Sequence, residues 1–316
     1  MSIASDIDTE ERTDTENAGL FLVVFGLSVL QFGLLPLLVP VGWGAASLLL
    51  IAVAVATPLH WGLAHESFHG ALSARTGRNR AGGRVLTWFL GMSWDLIRFG
   101  HLMHHDANRH PLDRPEVLPP GVSPLVGAPG YFGRLIGGHA VISVVSALGA
   151  LVPEALTRRI IEQVGQNPDL AKIRAAALRA FTNAERRARI RTDILVIVLL
   201  FAGAIWLWGA AWPVFAASMA LRWMVLSLLD NAPHYGTALD SGRNARNTTV
   251  PAPLSWLVMN QNLHGIHHAQ PEIGWRDLPA AFRRAGGRYS GAWAMQVVRQ
   301  FRGPLREDQL RPLPLD

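Results

Sequence analysis

Cysteine is absent from this 316-residue chain. That absence removes disulfides, thiolate metal sites, cysteine-ligated iron–sulfur clusters and thiol nucleophiles together. Any metal bound here must be held by nitrogen and oxygen. Lysine is nearly absent too: of 29 basic residues only Lys172 is lysine, which reads as a compositional bias and not as a physical signal. Residues 1–17 are acidic and have no basic region ahead of an apolar one. They do not read as a secretory signal, and residues 1–18 are expected to be a disordered cytosolic tail. What is plentiful is apolar. Hydrophobic residues make up 50% of the chain and mean hydropathy is +0.21, high for a soluble protein and ordinary for a membrane one.

Four stretches approach the roughly 20 apolar residues that cross a bilayer. They are residues 19–39, 44–63, 194–211 and 213–229. The joins within each pair, at 40–43 and 209–213, are tight, so each pair is expected to be a helical hairpin. Trp43, Trp208 and Trp212 fall at these turns, where interfacial aromatics are expected. Arginine and lysine number 17 between residues 64 and 192 and 10 between 230 and 316, and the hairpin turns carry none. This asymmetry puts both polar segments and both termini in the cytoplasm. Residues 131–152, interrupted by Gly137, Gly138 and His139, are expected to form an interfacial or re-entrant helix, with a fifth span as the alternative. Residues 160–191 are charged and amphipathic and suit the membrane surface, either in contact with acidic lipid or simply solvated. The expected fold is therefore all-α. Residues 19–316 form one integral membrane domain, with four transmembrane helices in two hairpins and a cytosolic helical cap. No nucleic-acid partner is expected.

Eight of the 12 histidines fall in three tight clusters. These are His65-Glu66-Ser67-Phe68-His69, His101-Leu102-Met103-His104-His105 and His264-Gly265-Ile266-His267-His268. Residues at i, i+3 and i+4 share one helix face, so each cluster can aim two or three imidazoles at one point. Neutral imidazole suits iron, zinc, copper and nickel. Eight convergent ligands exceed the needs of one metal, and two metals sharing them is the economical reading. The first cluster alone matches the zinc-protease pattern H-E-x-x-H with Glu66 as base. Six further histidines on the same membrane face argue against that reading.

As a set, the clusters resemble the histidine boxes of membrane fatty acid desaturases and related hydroxylases in pattern, order and placement, over roughly residues 59–279. Flanking residues resemble bacterial desaturases as well. They are Arg98 and Gly100, the run Asn108-Arg109-His110-Pro111-Leu112-Asp113-Arg114-Pro115-Glu116, Asn262, and the run from Pro271 to Trp275. The resemblance implies a ninth ligand after the last span, a role His234 fits, with Asn231 or Asp230 holding a metal-bound water. The implied ligand set is His65, His69, His101, His104, His105, His234, His264, His267 and His268, and the implied cofactor is two iron ions. Glu66, Asp106 and Asp113 are candidates to orient a ligand through its second nitrogen, with solvated surface charge as the rival. His60 points to another face, and His110 and His139 read as structural. Arg222 falls inside the fourth span, where a charge is costly. It either meets a polar substrate head or a carboxylate, or it snorkels.

The resemblance implies an oxygen-dependent oxidoreductase that desaturates a fatty acyl chain lying in an apolar tunnel. Trp61, Phe68, Trp88 and Trp94 are candidate walls. A hydroxylase or ketolase of a carotenoid, sterol or alkane would share the same ligands. A non-enzymatic metal-binding or transport protein is the reading from another class. Transporters place ionisable ligands near the midplane, whereas these clusters lie at or beyond span ends. With no cysteine and no haem motif, electrons must come from a separate ferredoxin or cytochrome, which a basic cytosolic face suits. The expected location is multi-pass in a bacterial inner membrane, with the active site on the cytosolic face.

Overall fold

The computed structural model describes residues 3–38, 43–164, 170–239 and 245–310. Among these residues the chain is helical, and strand pairing is limited to isolated bridges such as Val117 with Leu305. In chain order, α1 (Ile3–Val29) runs through a π-helical turn (Leu30–Leu34) into α2 (Leu35–Leu38). Then come α3 (Trp43–Val55), α4 (Thr57–His69), α5 (Thr76–Phe89), α6 (Trp94–Ala107) and α7 (Pro124–Leu151). They are followed by α8 (Glu154–Val164), α9 (Ala171–Phe181), α10 (Ala184–Trp208) and α11 (Trp212–Asn231). Four short helices close the chain: α12 (Ala252–Leu257), α13 (His264–Ala269), α14 (Leu278–Arg284) and α15 (Trp293–Arg299).

Three helical stretches are long and apolar enough to cross a membrane: Asp14–Leu38, Gly44–His69 and Ala184–Asn231. The third is 48 residues long and comprises α10 and α11, parted by a 3-10 turn. Gly209 at that turn has φ +49°, a left-handed conformation that favours glycine. The chain reverses there, so Phe201 of α10 meets Phe215 and Trp223 of α11, with ring centroids 5.9 and 6.4 Å apart. The join expected between the first pair lies, at 40–42, outside the described residues. Outward faces of the three stretches are apolar, with Leu22, Leu48, Ile51, Val198, Leu199 and Trp206 exposed. An apolar surface of this extent is foreign to a soluble monomer.

Three local expectations are corrected. Trp208 is not an interfacial aromatic. It is buried against Phe32 and Phe215, and its indole donates to Gln31 O (3.1 Å), while Trp206 and Trp212 are the exposed ones. The segment at 131–152 is part of the unbroken 28-residue α7, which lies along α11. Gly138 does not interrupt α7; a Cβ there would make ordinary contact with Ser227 Oγ of α11 at 3.5 Å. The acidic N-terminus is helical from Ile3, and its end is docked. Asn17 is buried, donating to Ala71 O and Leu72 O (3.1 Å each) and accepting from the Trp275 indole (3.0 Å). Asp14 accepts from Ser73 Oγ and Ala74 N, and Glu16 pairs with Arg276. Acidic side chains that look solvated along the sequence thus tie α1 to the loop after α4 and the segment after α13.

The core beneath the polar end joins α4, α5, α6 and α11 through Leu63, Phe68, Leu86, Met92, Trp94 and Leu226. Asp193, fully buried near the start of the apolar part of α10, binds Arg84, Trp88 Nε1 (2.7 Å) and Ser93 Oγ (2.8 Å). This network fixes α10 against α5 and the start of α6, and so sets where the α6 histidines stand.

Candidate metal centre

The last turns of α4 carry His65 and His69, and α6 carries His101, His104 and His105. α13 carries His264, His267 and His268. His234 lies in the turn after α11, its N–H donating to Asn231 O (3.1 Å). These nine histidines form two groups able to hold a metal. One comprises His65, His69, His101, His105 and His267; the other comprises His104, His234, His264 and His268. Within each, the candidate ligand atoms lie within 4.8 Å of one another. The groups adjoin, with the His105 and His268 rings stacked at 4.2 Å.

Partition follows helical phase. In α6 the i, i+4 pair His101 and His105 serves the first group, and His104 turns to the second. In α13 the assignment inverts: His264 and His268 serve the second group, and His267 crosses to the first. Two clusters of similar spacing therefore split in opposite senses, because their helices approach the centre from different sides.

The nitrogens fit metal ions. His101 Nε2 lies 2.7 Å from His69 Nε2 and 3.1 Å from His105 Nε2, which is itself 3.1 Å from His267 Nε2. In the second group, Nε2 of His104 is 3.1 Å from that of His234, and the same distance separates His268 from His264. One proton satisfies one such pair, not a ring of them, whereas a cation satisfies all the lone pairs. His65 Nε2 is buried with no hydrogen-bond partner. Burial, reinforced by neighbouring imidazoles, holds His264, His267 and His268 well below the ordinary histidine range. The rings are thereby kept neutral, the form that binds metal. In His104 burial also lowers the pKa, but the hydrogen bond and charge of Asp113 outweigh it and the net shift is upward.

Residues around the groups fix the rings. Asp113 Oδ2 lies 2.7 Å from His104 Nδ1, so a proton on Nδ1 leaves Nε2 free to face inward. The Asn108 amide is 3.3 Å from Nδ1 of both His234 and His268, and the Gln261 amide 3.2 Å from His65 Nδ1. The contacting amide atoms are Asn108 Nδ2 and Gln261 Nε2; exchanging O and N in each amide by a flip turns them into acceptors of ring Nδ1 protons, which leaves Nε2 free for metal. Sequence reasoning noticed Asn108 only as part of a run and missed Gln261, which no spacing rule marks. Arg109, at φ +68°, forms a buried ion pair with Glu116 (2.6 Å) and donates to His234 O (3.3 Å) and Thr237 O (2.7 Å). Glu66 accepts from Trp275 N (3.1 Å), so it anchors the segment after α13, while its oxygen is 4.0 Å from His65 Nδ1.

The other sequence candidates have partners of their own, and Asp230 and Asn231 also line a cavity that reaches the histidines. Asp106 is exposed and 3.6 Å from Lys172. Asn231 donates to Gln300 Oε1 (2.7 Å), and Asp230 lies 3.9 Å from His139 Nε2. Among the described residues Arg222 meets no carboxylate, and it does not reach the surface. It is buried and donates to Gln31 Oε1 (2.8 Å) and Thr57 Oγ1 (3.2 Å), with His60 Nδ1 at 2.6 Å. A polar knot inside the helix bundle thus replaces the expected snorkel. His60 joins that knot and also bonds Leu86 O (2.8 Å), consistent with its different face. His110 caps its own loop, accepting from Leu112 N.

Two cavities reach the histidines. A narrow, mainly apolar one of about 40 Å³ touches His65 and His264, one from each group, and is walled by Pro58, Trp61 and Leu229. A wider one of about 490 Å³ lies between α7 and α11 and reaches His104 and His234. Of the expected tunnel walls only Trp61 lines a cavity at the histidines; Phe68 and Trp94 are core, and Trp88 binds Asp193.

Compared with known families, residues 18–297 match the model of the family described as fatty acid desaturase. No curated protein matches the chain significantly.

Proposed function

The chain belongs to the fatty acid desaturase family, and on that premise we propose that it is an oxygen-dependent desaturase that introduces a double bond into a fatty acyl chain. The observation that carries the reading is the convergence of nine imidazoles into two adjoining groups, the candidate ligand atoms of each within 4.8 Å of one another. The first five would hold one iron and the other four a second. Two irons held there supply, with dioxygen, the removal of hydrogen from an unactivated C–H bond, which no side chain can perform.

The chain's own residues position and protect. Asp113, Asn108 and Gln261 orient His104, His234, His268 and His65 through their second nitrogens. Pro58, Trp61 and Leu229 wall a slot that is narrow and mainly apolar where it touches both groups, which suits a methylene chain. Asp113 lines only the wider cavity and Asp230 lines both, so a polar substrate end is accommodated on the side of the wider one. Electrons come from a separate ferredoxin or cytochrome, a need that the cysteine-free composition supports.

The topology proposed is four spans in two hairpins, with the metal centre on the cytosolic side of a bacterial inner membrane. The reversal at Gly209 and the count of 17 and 10 basic residues in the polar segments support it. Because the chain contains no cysteine, single introduced cysteines report sidedness without background. One at Arg288 should be labelled only from the cytoplasm and one at Gly209 only from outside; the reverse would refute the topology. For the reaction, the test is mass spectrometry of acyl chains from a host of defined lipid profile. Products lighter by two hydrogens are expected. An alcohol would instead assign a hydroxylase, and unchanged lipids with an intact iron centre would overturn the acyl-chain reading.

A further inference from the structure

On the face of α6 turned away from its histidines, two cavities of opposite character lie side by side. One, of about 550 Å³, is polar and lined by Arg80, Arg98, Arg179, Arg186 and Arg189 with Asp95. The other, of about 460 Å³, is lined by apolar side chains such as Leu96, Val145, Ile161, Phe181 and Ile190. Consecutive residues line the two: Asp95 and Leu96, Ala180 and Phe181, Arg189 and Ile190.

The polar cleft has excess positive charge. Its five arginines face two carboxylates, Asp95 and Glu185. Asp95 is already shared by Arg189 (3.0 Å) and Arg186 (3.5 Å). Arg98 donates to Phe68 O (2.8 Å) and stacks on Trp94 at 5.4 Å. Among the described residues, Arg80, Arg98 and Arg179 form no ion pair, so an anion is the missing partner.

Depth identifies the kind of anion. α10 is charged up to Asp193 and carries no charged residue from Ile194 to Trp208. Arg189 and Ile190 thus lie within about one turn of the point where the helix turns apolar. Past it Leu195, Val198 and Leu199 are exposed, as are Val144, Val145 and Leu148 on α7. On α8, Leu156 and Ile160 are exposed one turn apart, beside Arg158 and Arg159. Such a pattern of apolar and basic positions suits a helix lying in the interface. The cleft and the groove therefore sit together at the level where water gives way to lipid.

We propose that this flank binds an anionic phospholipid, its phosphate held by Arg80, Arg98 and Arg179 and an acyl chain lying in the apolar groove. A free phosphate would use only the cleft, and an acidic protein has no use for a groove at the bilayer rim; a phospholipid fills both. The site is separate from the histidine groups, and its occupancy does not depend on the reaction they perform.

The test is lipid retention by the full-length protein, read by native mass spectrometry after exchange into mixed micelles holding phosphatidylglycerol and phosphatidylcholine in equal amounts. Wild type should retain phosphatidylglycerol over phosphatidylcholine by about tenfold, as a few arginines near an anionic surface provide. Arg80→Gln with Arg179→Gln, both exposed and so unimportant for folding, should abolish that preference. Ile161→Trp, which fills the groove, should reduce retention of both lipids; iron content and melting temperature serve as folding controls. Equal retention of the two lipids by wild type, or an unchanged preference in the double variant, overturns the proposal. Displacement of the lipid by millimolar inorganic phosphate would make the cleft a small-anion site and overturn it as well. If the double variant slows electron delivery from an acidic ferredoxin yet keeps its lipid preference, the cleft is a protein-docking face and the lipid assignment falls.

Discussion

His104 Nδ1 and Asp113 Oδ2 lie 2.7 Å apart, and this contact fixes the one α6 histidine that turns to the second group. Asp113→Ala removes the carboxylate that sets the ring's tautomer and orientation. Loss of such a partner weakens metal affinity by about 10–100-fold. Iron per chain, measured against rising chelator under anaerobic conditions, should fall earlier than in wild type. Asp106→Ala, on the exposed side of α6 beside Lys172, should follow the wild-type curve. Identical behaviour of the two variants would remove Asp113 from its role.

Single ligands should separate the two groups. Anaerobically purified protein should hold about two irons, the number a ligand set this large implies. His234→Ala should retain about one, because the first group does not use His234. His104→Ala and His267→Ala, one from each group, should both abolish turnover while leaving the protein in the membrane, since insertion depends on the apolar helices. His110→Ala and His139→Ala should keep most activity per milligram of membrane-integrated protein. Near wild-type turnover in either His104→Ala or His267→Ala would sink the two-metal reading.

The Arg109–Glu116 pair is buried on both sides. Glu116→Ala leaves an uncompensated buried cation, a change that costs about 3–5 kcal/mol. Arg109 also holds the carbonyls of His234 and Thr237, so the loss should reach the second group. A lower melting temperature together with easier iron removal is expected. A stable variant with unaltered iron retention would show that the pair does not support the His234 turn.

Asn17→Ala should destabilise by about 1–3 kcal/mol, because the buried groups of Ala71, Leu72 and Trp275 lose their partner. Deleting residues 2–13 should have little effect on the melting temperature. If the deletion proved as damaging as Asn17→Ala, the anchor would lie nearer the N-terminus than Asn17.

Composition and spacing determined much of this protein. Cysteine-free sequence left nitrogen and oxygen as the ligands, apolar runs marked the stretches long and apolar enough to cross a membrane, and helical spacing picked out eight of the nine converging histidines. Family resemblance added His234. Only the tertiary structure decided how those histidines divide. Spacing says which imidazoles share a face of one helix, whereas membership of a group depends on the direction from which each helix arrives, so His104 and His267 part from their own neighbours. The same reason governs the carboxylates. Asp106 and Asp113 look alike along the chain, but the turn after α6 folds back to bring only Asp113 to a ring. Arg222 was legible as a charge in an odd place and nothing more, and Asn17 only as the end of an acidic tail. Their partners, Gln31 and His60 for one and Trp275 for the other, come from 162 to 258 residues away in sequence, and packing alone brings such pairs together.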